Sequence, residues 1–325
     1  MMWPFASPHS GWLVLYLLTF AVHIVLVSYV LAGTTYALIQ ALRKKQDPIA
    51  ERARDLLPFM LGLGITAGVA PLLFIQLLYQ QPFYTANLLL GPRWGAVVPA
   101  LIVGFYALYL AKATQTLRIR RLALGVGVVC FSFVAWSWTE IHLLMQDQPA
   151  WREMYAAGDR MYAQTGVLPR LLLWLGAMMT LFATLAAWWA AAPERRRLAV
   201  IALAGRAVSA LAVVLLVMGD ATVISAAHGW LYLMIAAVAI EVAGWVWIRL
   251  APDGAGLTLV TAASTAALLA GVVVREAPRL ATIEPPRAAA LEASGFPVFA
   301  LTAVLGIALI VWIVRSIRDR AVPPS

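Results

Sequence analysis

Apolar residues occur along this chain in long blocks rather than at alternating or every-third positions. Stretches near 11–42, 57–80, 94–114, 122–145, 168–192, 198–219, 228–249, 256–275 and 294–315 carry few charges, and short polar segments separate them. A run of 18 or more apolar residues can cross the ~30 Å hydrocarbon core of a bilayer as a helix. The pattern predicts an all-α polytopic membrane protein: nine transmembrane helices in a single domain, residues 1–325. Between spans 4 and 5, "DQPAWREMYAAGDRMYAQTGVLP" spaces Trp151, Met154, Tyr155, Met161 and Tyr162 at helical intervals. This predicts a short helix lying in the outer interface, anchored by aromatics. "EPPRAAALEASG" (284–295) adds another turn or two.

Composition supports the membrane class. The chain is 63% hydrophobic and 12% charged, against about 25% charged for a soluble domain. The single cysteine, Cys130, excludes a disulfide framework. The absence of Cys-x-x-Cys-His excludes covalently attached c-type haem. The start, "MMWPFASPHSGW", lacks a basic n-region, and the first apolar segment exceeds a signal peptide's core, so it is expected to be retained.

A net charge of +9 could point to nucleic acid, but its distribution points to topology instead. The alternate segments "RKKQDPIAERAR", "KATQTLRIRR", "ERRR", Arg249 and "RSIRDR" hold 16 of the 24 Lys and Arg residues. The positive-inside rule then places the N-terminus outside and the C-terminus in the cytoplasm. The partners expected are the lipid bilayer and other membrane subunits, with no nucleic acid.

Ionisable groups inside apolar spans are costly and need a partner or a task. His23 lies 12 residues from the outer end of span 1, roughly 18 Å deep. It can be a neutral histidine bonded to a helix carbonyl, or an axial haem ligand. Arg206 and Glu241 lie at similar depths from the inner ends of spans 6 and 7, where a structural ion pair is the economical reading; a proton path or a propionate anchor is the alternative. Glu140, His142, Asp220 and His228 fall at outer span ends, where solvated helix termini compete with functional roles. Glu140 and His142 are two residues apart and do not form a HExxH zinc motif. In "VVVREAPRL", Glu276 sits between two arginines at the edge of a span, where a carboxylate can ligate a metal or haem iron while arginines hold propionates. Gly62, Gly64 and Gly68 allow close helix packing, and Pro71 should kink span 2. The 13 tryptophans cluster near span ends as an aromatic belt.

These residues, in this order, resemble subunit I of the cytochrome bd oxidases, membrane haem proteins that reduce oxygen with quinol electrons. "FAVHIVLVSYVLAG" is similar to the family's first helix, whose histidine ligates a haem, and His23 occupies that place. "LGLGITAGVA" resembles the start of its second helix. "RRLAVIALAGRAVSALAVVLLVMGDAT" resembles its sixth, ending at Gly219 and Asp220. "WLYLMIAAV" resembles the helix bearing an axial methionine, matched by Met234. "VVVREAPR" resembles the segment with a ligating glutamate and an arginine, matched by Glu276 and Arg279.

The resemblance implies one or two b-type haems, with a d-type haem a further option. His23 and Glu276 would ligate haem iron, Arg279 would anchor a propionate, and Met234 would be a weaker ligand. The chain would be an electron-transfer subunit of a respiratory oxidoreductase in the bacterial cytoplasmic (inner) membrane, beside other membrane or cytochrome subunits. There are departures. Span 5 has no histidine, span 3 has no Asp or Glu, and "GDATVISAAHG" is too short for the family's quinol-binding segment. The rival readings are a structural subunit without haem and, further off, a transporter.

Overall fold

The computed structural model describes residues 9–162, 164–219, 228–252 and 254–282, with isolated helical positions between 298 and 312. Packing divides the chain into a main unit, Trp12–Ile283, and a smaller unit drawn from Trp3–Gly11 and Glu284–Ser325. Among the described residues every regular element is helical. In order they are α1 (His9–Leu42), α2 (Pro48–Leu78), α3 (Gln80–Leu90), α4 (Pro92–Gly95), α5 (Val97–Ala113) and α6 (Leu117–Leu144). There follow α7 (Gln148–Ala157), α8 (Val167–Ala187), α9 (Ala192–Gly219), α10 (His228–Leu250) and α11 (Gly254–Glu276), extended by a 3-10 turn, Ala277–Thr282.

Among the described residues, eight helices are long and apolar enough to cross a membrane: α1, α2, α4 with α5 as one run, α6, α8, α9, α10 and α11. Helices suit this solvent because each backbone group is satisfied within its own segment. The ninth expected span, 294–315, and the turns expected at 284–295 lie outside the described residues apart from isolated positions. Large apolar side chains such as Val22, Phe59, Leu122, Met218 and Tyr232 face outward, a distribution suited to lipid rather than water. The helix expected between spans 4 and 5 is α7, capped by Asp147, whose side chain accepts from Ala150 N at 3.3 Å. α3 fills the connection after span 2. α2 continues helically through both Pro58 and Pro71.

The core forms where the helices approach closely. Phe182 on α8 is fully buried against Tyr29 and Tyr36 of α1, with ring centroids 5.4 and 5.7 Å away. α8 and α9 cross at Gly176 and Gly205, where a Cβ on either residue would strike the other's carbonyl oxygen. Thr180 Oγ1 donates across that crossing to Ala202 O at 3.1 Å. Small residues of this kind let backbones meet where lipid offers no hydrophobic drive.

Asp47 joins the helices at the end carrying the basic loops. It caps α2 through Ala50 N (3.0 Å), accepts from Tyr36 OH (3.0 Å) and pairs with Arg197 of α9 (2.6 Å). Pro48 follows at the first helical position, where its missing N–H costs nothing.

Candidate functional site

At the opposite end of the bundle, α11 stops because Pro278 disfavours helical geometry at the residue before it. Glu276 therefore lies in the last helical turn, and Arg279 in the following 3-10 turn reaches back to it. Arg279 Nη2 donates to Glu276 Oε2 at 2.6 Å and to the Tyr16 hydroxyl of α1 at 2.8 Å. Arg275 Nη1 reaches the same carboxylate oxygen at 3.3 Å. The Arg275 guanidinium also lies 4.6 Å from the Phe20 ring centroid, and that of Arg279 lies 4.9 Å from the Tyr79 ring. Such cation–π contacts strengthen when desolvated. Glu276 and Arg279 are 1% and 0% exposed, so this charge cluster is interior. Burial, and after it the nearby Glu276 carboxylate, push the Tyr79 hydroxyl well above the usual phenol range, so it stays protonated.

One oxygen of this carboxylate is left over. Glu276 Oε2 takes the two arginines and Tyr16, whereas Oε1 is buried without a hydrogen-bond partner. His142 is buried on α6 in the field of Arg275 and Arg279, and its Nδ1 is likewise without a partner. Polar atoms are seldom left in this condition.

His23 sits elsewhere on α1, seven residues from Tyr16 and so about two turns along. Its Nδ1 lies 2.9 Å from Gly64 O of α2. A carbonyl only accepts, so Nδ1 carries the proton and Nε2 holds the lone pair. Gly68 makes room for the ring: a Cβ there would lie 2.8 Å from His23 Cε1. Gly64 packs on Leu26 and Val27, whereas Gly62 faces open space.

The remaining candidates lie apart from these two sites. Arg206 of α9 pairs with Glu241 of α10, and Ser264 of α11 donates to the other Glu241 oxygen. Thr184 Oγ1 of α8 lies 3.2 Å from Ser264 Oγ, so four helices share one polar junction. Met234 is half-buried, with its sulfur over Gly271 of α11, 3.6 Å from where a Cβ would be. Glu140 pairs with Arg93. Asp220 and the rest of residues 220–227 lie outside the described residues, as does the His228 side chain.

The structure thus brings together Glu276 with Arg279, and Arg206 with Glu241, while His23 and Met234 occupy separate helix seams. Sequence reasoning missed Tyr16, Tyr79 and Ser264. The only available signal was the seven-residue spacing that puts Tyr16 and His23 on one face of α1. No protein-family model, curated protein or solved structure matches the chain.

The donor set fits haem iron chemically. His23 offers a neutral nitrogen whose other ring N–H is held by a carbonyl, the usual support of a metal-bound imidazole. Glu276 offers a second carboxylate oxygen, Oε1, that neither arginine nor Tyr16 bonds, with the Tyr79 hydroxyl close to the same carboxylate. Arg279 is engaged by Glu276, Tyr16 and, through Nη1, Met145 Sδ at 3.4 Å.

Proposed function

We propose that this chain is a haem-binding membrane subunit of a cytochrome bd-like respiratory oxidoreductase, in the cytoplasmic membrane of a bacterium, with its N-terminus outside and its C-terminus in the cytoplasm. His23 is bonded to a helix carbonyl, the first of the two arrangements expected for it; what supports the ligand reading is that this bond uses Nδ1 and leaves Nε2 with its lone pair beside Gly68. Haem bound there would supply one-electron redox chemistry.

The protein's own residues would do the positioning. Gly64 O orients the imidazole, and the missing side chain at Gly68 lets α2 approach it. Arg279 and Arg275 would pair with Glu276 and Tyr16 would fix its Oε2 side, so that Oε1 would be the oxygen offered to a second iron. Arg279 then acts on Glu276 itself rather than directly on a propionate. Met234 remains the weaker ligand candidate. Other membrane or cytochrome subunits would pass electrons to or from these sites, and oxygen reduction is an extension of the same reading.

The test is haem content, measured as the alkaline pyridine haemochrome of the full chain purified from a haem-replete host with its partner subunits. Wild type should carry haem. His23→Ala should lose one equivalent while still inserting, with stability changed by about 1–2 kcal/mol for the lost hydrogen bond. A haem-free wild type would favour the second reading, a structural subunit. That reading draws on the engagement of Arg279 with Glu276, Tyr16 and Met145, a clamp that holds α1, α6 and α11 together without a cofactor.

A further inference from the structure

At the end of the bundle carrying the basic loops, a cavity of about 290 Å³ lies between the C-terminus of α1, the 43–47 connection and the first turns of α2 and α6. That is roughly ten water volumes at ~30 Å³ each. Its rim carries Lys44, Lys45 and Arg120, together with Arg54, which is already paired with Asp55 at 2.9 Å, and its floor includes Ala37 and Leu124. Two acids also line it: Asp47 is already committed to Arg197, Tyr36 and the α2 cap, and Glu51 is exposed like Lys44 and Lys45 and offsets one of the cations. Lys44, Lys45 and Arg120 outnumber Glu51, so the rim keeps a net positive charge above an apolar floor.

Two details set this cavity apart from an ordinary basic loop. The chain leaves α1 through a Schellman turn, in which Lys45 N bonds Gln40 O and Lys44 N bonds Ala41 O, each at 3.2 Å. The left-handed position of that turn usually belongs to glycine. Here Lys44 occupies it at φ 55°, the only non-glycine residue with positive φ among the described residues. A strained backbone is thus kept with a cation on the cavity rim. Arg120 is the second detail: Nη2 is held by Thr114 O at 2.9 Å, while Nε is buried without a partner. It lies at the start of α6, whose N-cap Thr116 makes no side-chain capping bond. The positive end of the helix adds to the field there.

We infer that this cavity binds the phosphate headgroup of an anionic glycerophospholipid. Phosphate matches the cations of the rim, and the glycerol and the start of the acyl chains match the floor of Ala37 and Leu124, which a free anion would leave uncovered. The position at helix ends, between membrane-crossing helices, is where lipid headgroups lie. The inference is independent of haem.

The experiment uses the full-length chain in detergent, doped with phosphatidylglycerol, phosphatidylcholine or inorganic phosphate, with lipid retention read by native mass spectrometry and thermal protection by unfolding scans. Phosphatidylglycerol should be retained and should protect, whereas the other two should not. Lys44→Gly combined with Arg120→Gln should weaken retention about thirtyfold, on the usual worth of two cations near an anionic headgroup. Lys44→Gly alone should weaken retention about fivefold yet raise the melting temperature in phosphatidylcholine, because glycine relieves the left-handed strain. Arg43→Gln removes an equal charge outside the cavity and should change retention little. Equal protection by phosphatidylcholine, equal protection by inorganic phosphate, unchanged retention in the double variant, or an equal loss in Arg43→Gln would each overturn the lipid assignment.

Discussion

Removing one partner of the Arg206–Glu241 pair should damage the bundle far more than removing both. Glu241 is 0% exposed and the Arg206 side chain 14%, so neither charge can fall back on water. Arg206→Met leaves a buried carboxylate with only the Ser264 hydroxyl, and breaking a buried pair in this way costs about 3–5 kcal/mol. Glu241→Gln leaves the buried Arg206 cation with only a neutral amide oxygen to bond, which places it at the lower end of that range, about 3 kcal/mol. The double variant leaves one neutral amide beside Ser264, a deficit of about 1–2 kcal/mol. The single effects should therefore exceed the double by at least about 2 kcal/mol, well outside the additivity of independent sites. Membrane proteins often unfold irreversibly on heating, so the cycle is best measured by reversible unfolding in bicelles. Additive single effects would refute the reasoning, since the two side chains would then not share their burial.

Other sites give contrasts of the same kind. Gly68→Ala should force the His23 ring aside, costing about 1–3 kcal/mol by overpacking and perturbing any haem spectrum, while Gly62→Ala, facing open space, should be silent in both readouts. Arg279→Ala should cost about 3–5 kcal/mol as the loss of a fully buried ion partner, more than Arg275→Ala, whose side chain is 15% exposed and holds Glu276 at the longer distance of 3.3 Å; chemical denaturation of the two variants checks the order. Asp47→Ala should cost about 2 kcal/mol, mostly through the lost cap of α2, because Arg197 is half exposed and its ion pair adds little. A reporter fused after Ser325 should be cytoplasmic; labelling it from outside intact cells would reverse the proposed topology.

The membrane-crossing helices were legible because lipid imposes one requirement on every residue of a span, and runs of about 20 apolar residues are hard to mistake. α3 was not. Its 11 residues include Gln80, Gln81, Pro82 and Asn87, which break the apolar run, so its helicity depends on packing rather than pattern. Arg206 and Glu241 could be paired from sequence because each charge alone is expensive and residue counts fix depth. Ser264 could not, since a hydroxyl in a helix can satisfy itself on the preceding turn. Tyr16 was hidden for another reason: an aromatic in a span reads as packing, and its partner Glu276 lies 260 residues away. Met234 shows the limit of resemblance, because a motif places a methionine on a helix without showing what its sulfur meets.

Ligation of haem iron by His23 Nε2 is the proposal on which the haem reading depends. Resonance Raman spectroscopy of the reduced protein tests it most directly, using chain grown with ring-¹⁵N histidine and compared with unlabelled chain and with His23→Ala. The expected result is an iron–histidine stretching band that shifts on labelling and is absent in His23→Ala. A band that persists in that variant, or bound haem with no histidine-sensitive band, would contradict it.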